Sequence, residues 1–162
     1  MVRVARTFLE PVTPMTVAQL PTTGDRVVEP MLALARCTPL HRIVVAGAKS
    51  IELMFELQRR GFARTAAAAN CGRAGRQYDV ALVDWRRRTF RELERTLAWL
   101  RDFLSPTGVL VVWVDPQKPA AMQGLRTVLM RRGFVVEAGT VREDGYAVSA
   151  RRSETRPIAK AA

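Results

Sequence analysis

Apolar residues in this chain alternate between short continuous runs and helically spaced stripes. Ile43 to Ala46, Tyr78 to Asp84 and Val109 to Val114 are short runs rich in β-branched residues, as expected of strands covered on both faces. Between them lie amphipathic segments. Val28, Met31, Leu32 and Ala35 share one helical face within 25–37, and Ile51, Met54, Phe55 and Leu57 form a stripe after Ser50, a candidate cap, with Glu52 and Glu56 exposed. Thr89-Phe-Arg-Glu92 reads as a capping box that opens a long helix with apolar positions Phe90, Leu93, Leu97, Leu100 and Leu104. A further helix starts at Pro119 and carries Met122, Leu125, Val128 and Leu129.

The tetrapeptide Arg-Arg-Gly-Phe closes two of these stripes, at 59–62 and 131–134. Arginine in a last turn faces the negative end of the helix dipole, and glycine at the next position takes the left-handed conformation without a Cβ clash. Each copy predicts a helix stop followed by a strand start. A weak strand is expected near Ala63 to Ala69 and a turn at Ser105-Pro-Thr-Gly108. Asp144-Gly145 predicts a primed hairpin turn between Phe134–Val141 and Tyr146–Ala150. Helical crossovers require parallel neighbours, so the expected fold is α/β: a Rossmann-like three-layer sandwich whose mostly parallel sheet ends in an antiparallel hairpin. Residues 25–152 form the domain, between a proline-containing flexible arm, 1–24, and a disordered polar tail, 153–162.

Composition narrows the chemistry. Cys37 and Cys71 are far apart and the single histidine, His41, joins neither, so zinc and Cys-His nucleophile chemistry are not indicated. The start of the chain lacks the apolar core of a secretory signal, and no apolar run approaches the roughly 20 residues of a membrane span, so a cytoplasmic protein is expected. The net charge is +11, carried almost wholly by arginine, the lysines being Lys49, Lys118 and Lys160. Such a field draws polyanions, nucleic acid or acidic protein, while the same arginine-rich, alanine-rich usage follows from a GC-rich genome.

From His41 to Arg152 the order of elements resembles class I S-adenosylmethionine-dependent methyltransferases. The likeness rests on Leu104-Ser-Pro-Thr-Gly108 running into Val109-Leu-Val-Val-Trp-Val114, and on Gly133-Phe-Val-Val-Glu137 followed by Tyr146-Ala-Val-Ser149. It implies a cofactor loop at Ala46, Gly47 and Ala48 and a reacting end at Asp84. Trp85, Arg86, Arg87, Arg88 and Asp115 would then meet a substrate or partner, because open α/β sheets bind ligands at the carboxyl ends of their strands. Asp84 either orients a nucleophile there or pairs with the arginines that follow it.

The chain departs from that family's pattern at the cofactor anchors. No acid precedes Gly47, Lys49 follows it, and no Asp or Glu occurs between Glu56 and Asp79, where the ribose acid belongs. The span from Gly61 to Tyr78 is also too short for a full strand-helix-strand unit. S-adenosylmethionine is therefore expected to bind weakly or not at all, and the domain reads as a degenerate methyltransferase-like module retained for binding or regulation. The alternatives are an active, atypical methyltransferase on an anionic substrate, and a degenerate receiver-like domain suggested by Tyr78-Asp-Val-Ala-Leu-Val-Asp84.

Overall fold

The computed structural model describes residues 23–68, 75, 77–86, 89–115 and 119–153, without the side chains of 23–25 and 119–120. All of the arm but residues 23–24 and nearly all of the tail, with Cys71, Arg87 and Arg88, lie outside the described residues. In chain order the elements are α1 (Thr23–Ala35), β1 (Ile43–Gly47), α2 (Ser50–Arg59), β2 (Thr65–Ala67), β3 (Tyr78–Asp84), α3 (Phe90–Phe103), β4 (Leu104–Val114), α4 (Pro119–Arg131), β5 (Phe134–Arg142) and β6 (Gly145–Arg152). One six-stranded sheet runs β2-β1-β3-β4-β6-β5. The first four of these are parallel neighbours, and β6 inserts antiparallel between β4 and β5. That insertion removes the receiver-like alternative, whose sheet has no place for a terminal hairpin.

Period-two alternation divides the central strands between two cores. Ala81, Val83, Leu110, Val112 and Val114 pack toward Leu93, Leu97 and Leu100 of α3 and Leu125 and Leu129 of α4. Val80, Leu82, Val111 and Trp113 pack toward Val28, Met31 and Leu32 of α1 and Leu53 and Leu57 of α2. The result is three layers. Within the described residues, 3-residue β2 is the sole strand between α2 and β3, a reduced edge in keeping with the short span there. No described helix is long and apolar enough to cross a membrane.

The capping box forms as expected: Thr89 accepts from the Glu92 amide at 3.3 Å and its own amide donates to the Glu92 carboxylate at 3.0 Å. Three local expectations change. On α2 the buried positions are Leu53 and Leu57, while Ile51 and Phe55 face solvent, because the helix begins on Ser50 with Lys49 at its cap and so presents a different face to the sheet. Leu104 starts β4 directly after α3, and Ser105–Gly108 is a bulge inside that strand, since Leu104 pairs with Tyr78 and Val109 with Val80. The hairpin turn centres on Glu143 and Asp144, neither of which has a positive φ, so it is not primed; Gly145 carries the positive φ of 151° instead.

Both Arg-Arg-Gly-Phe segments end helices and also tie them to a neighbour. After α2 the Gly61 amide donates to Gln58 O at 3.0 Å and the Phe62 amide to Leu57 O at 3.0 Å, the two bonds of a Schellman cap. Arg60 reaches Glu29 of α1 at 2.8 Å, and Arg131 reaches Glu94 of α3 at 2.8 Å. Gly61 has φ 93° and open space where a Cβ would stand. Gly61→Ala is therefore expected to cost only the left-handed strain, about 1 kcal/mol, read from urea unfolding. A much larger loss would mean that the space around Gly61 is not open.

Candidate functional site

The carboxyl ends of β1, β3 and β4 meet in one layer, with Gly47 opposite Asp84 and Asp84 opposite Trp113. The Ala48 amide donates to Asp84 O at 3.3 Å and the Trp85 amide to Trp113 O at 3.0 Å, which holds the β1–α2 loop against the end of β3. Gly47 has φ 109°, and a Cβ there would stand 2.1 Å from Asp84 O. Close approach of two strands is thus enough to demand glycine at this position. Ala46 is 1% exposed and its side chain belongs to the core, so only the backbone of Gly47 and the exposed Ala48 face the crevice.

Asp84 is buried, and Arg86 covers it with two parallel bonds, Nε to Oδ1 at 2.7 Å and Nη2 to Oδ2 at 2.5 Å. Residues two apart at the end of a strand face the same way, which is how the spacing brings them together. The Asp84 hydrogen bond raises the Arg86 guanidinium above its ordinary range; burial opposes that shift, and the charges of Asp84, Asp115 and Glu52 add to it. Asp115 is half-buried just after β4, and Glu52 lies in the first turn of α2. Glu52 is exposed, as its place on α2 predicts. Lys49 pairs with Glu52 at 3.5 Å, both side chains exposed.

Trp85 packs into the core. It is 4% exposed, its ring centroid lies 4.8 Å from that of Phe90, and Nε1 donates to Thr89 O at 3.2 Å. Arg87 and Arg88 fall outside the described residues. Cys37 has its thiol pushed up to about 12 by burial, which keeps it protonated and unreactive at neutral pH. No group of three or more metal-ligating side chains occurs among the described residues.

S-adenosylmethionine brings an ammonium and ribose hydroxyls, which call for carboxylates at the ends of the first two strands. Here the β1 loop offers Ala46, Gly47, Ala48 and Lys49, and β2 ends on Ala67. Of the acids near these strand ends, Asp84 is held by Arg86 and Glu52 pairs with Lys49. Neither strand end carries the acid that the resemblance places there.

No protein-family model matches the sequence, and no curated protein matches it significantly. Solved structures do. The ribosomal protein L11 methylase of Lactobacillus delbrueckii subsp. bulgaricus is similar over 80% of each chain at 12% identity, with a TM-score of 0.57. The 1,6-didemethyltoxoflavin-N1-methyltransferase of Burkholderia thailandensis, solved with S-adenosylhomocysteine, matches 83% of this chain and 80% of its own at 14% identity and a TM-score of 0.54. A precorrin 8w decarboxylase of Methanobacterium thermoautotrophicum matches 78% of this chain and 89% of its own at 17% identity and a TM-score of 0.51. The chain has the methyltransferase-like Rossmann fold. Since that fold also carries a decarboxylase, the likeness fixes the scaffold and leaves activity to the site.

Proposed function

We propose that this domain is a methyltransferase-like fold retained as a binding or regulatory module, with weak or no binding of S-adenosylmethionine. One observation carries the reading: the carboxylate at the end of β3 is buried and held by Arg86, while the end of β1 has no carboxylate. Methyl transfer asks mainly for alignment of donor and acceptor. Alignment needs a held cofactor, and the anchors for one are absent. A catalytic reading, methyl transfer to an anionic substrate, draws support from the fold likeness to methyltransferases.

The partner we propose is a polyanion, nucleic acid or an acidic protein segment, met at the crevice rim through the arginines that follow β3. At the opposite end of the sheet the helix-terminal arginines are engaged, Arg59 and Arg60 with Glu56 and Arg131 and Arg132 with Glu94. Arg86 is committed to Asp84, so Arg87 and Arg88 are the residues to reverse. Arg87→Glu with Arg88→Glu is expected to weaken binding of a heparin or single-stranded DNA probe about 10-fold or more at low salt and to flatten its salt dependence. Arg131→Glu with Arg132→Glu should have a smaller effect. Equal losses from the two pairs, or no binding by the unaltered protein at low ionic strength, would remove the partner and leave the charge to genome composition.

A further inference from the structure

Three helices end on a residue of positive φ, and one of the three is not glycine. α2 and α4 close on Gly61 and Gly133, with φ 93° and 77°. α1 closes on Arg36, with φ 50°, although the bonds are those of the α2 cap: the Arg36 amide to Ala33 O at 3.2 Å and the Cys37 amide to Leu32 O at 3.1 Å. Arg36 is the one non-glycine with positive φ among the described residues. Strain of this kind persists where the surrounding structure over-determines it, and it clusters at active sites and ligand clamps.

Arg36 lines a cavity of about 630 Å³ at the amino ends of β3 and β4, the opposite end of the sheet from the crevice. Small-molecule sites fall at about 300–1,000 Å³. Leu34, Val80 and Val109 give it an apolar side. Donors come from the Ser105 and Thr107 hydroxyls of the β4 bulge and from His41, whose Nδ1 accepts the Thr38 amide at 2.9 Å and so leaves the proton on Nε2. Ser149, 2% exposed, donates its hydroxyl to Ala138 O at 3.4 Å. The acids in the wall are engaged: Asp79 accepts the Arg42 amide at 2.8 Å, and Glu137 pairs with Arg151 at 2.9 Å. The Arg36 guanidinium has no ion-pair partner among the described residues and is the uncompensated charge of the cavity.

We infer that this cavity binds a small organic anion, a phosphate monoester with an apolar body, with Arg36 and the β4 bulge hydroxyls on the phosphate and the apolar body against Val80 and Val109. The site is separate from the crevice and does not depend on the function proposed for it. Phenyl phosphate is the probe, titrated by calorimetry against the whole protein and against Arg36→Gly and Arg36→Lys. Because glycine relieves the strain, Arg36→Gly is expected to raise the Tm by about 2–4 °C while weakening phenyl phosphate at least about 10-fold. Arg36→Lys should keep part of the affinity. The inference is overturned if phenyl phosphate does not bind the unaltered protein at 10-millimolar levels (about 10 mM), or if Arg36→Gly binds it unchanged.

Discussion

Gly47→Ala is expected to destabilise the domain by about 4 kcal/mol, roughly half from a side chain forced to positive φ and half from displacing backbone. The Cβ would stand 2.1 Å from Asp84 O and 2.8 Å from its carbonyl carbon, and neither can move without parting β1 from β3. Against a typical total of about 5–15 kcal/mol, this leaves a partly unfolded protein. Urea unfolding, with Gly61→Ala as the control for φ strain alone, measures it. A glycine kept only to admit a cofactor would behave otherwise: its replacement would lower binding and leave stability nearly unchanged, and that result would reopen the cofactor reading of the loop.

Arg86→Ala is expected to cost about 3–5 kcal/mol, because it strands a buried carboxylate. Asp84 has a side chain 2% exposed, and both its oxygens are held by Arg86. Removing the two charges together, as Asp84→Asn with Arg86→Gln, should cost less than Arg86→Ala alone, since no uncompensated charge remains. A double-mutant cycle on unfolding free energies should give a coupling of about 2 kcal/mol. Coupling near zero would mean that Asp84 is free to act on a ligand, the role its position at the strand end first suggested.

The fold was legible wherever local chemistry and the global arrangement agree. Continuous apolar runs marked β1, β3 and β4, the Thr89–Glu92 box marked the start of α3, and the glycines at 61 and 133 marked helix ends. Misreadings came where one residue of phase decides the outcome. α2 carries apolar residues on more than one side, and only docking against Ile43 and Val45 shows that Leu53 and Leu57 are the buried pair. The hairpin turn slipped by one residue because Asp-Gly suits both a primed turn and a glycine just after the turn; the second wins because Gly145 lies against Val114 O, where a Cβ would come to 2.3 Å. At the site, position pointed to Asp84 and Trp85, but burial, which a sequence shows only indirectly, turned Trp85 into a core residue and Asp84 into half of an ion pair. The Arg36 cavity left no trace in the sequence, since it is assembled from five separate elements.

The central claim is that the crevice has lost its hold on S-adenosylmethionine. Its most direct test is a calorimetric titration of the unaltered protein with S-adenosylmethionine. The account predicts no saturable heat, corresponding to a Kd weaker than about 1 mM. A saturable isotherm with a Kd in the micromolar range would contradict it and restore the methyltransferase reading.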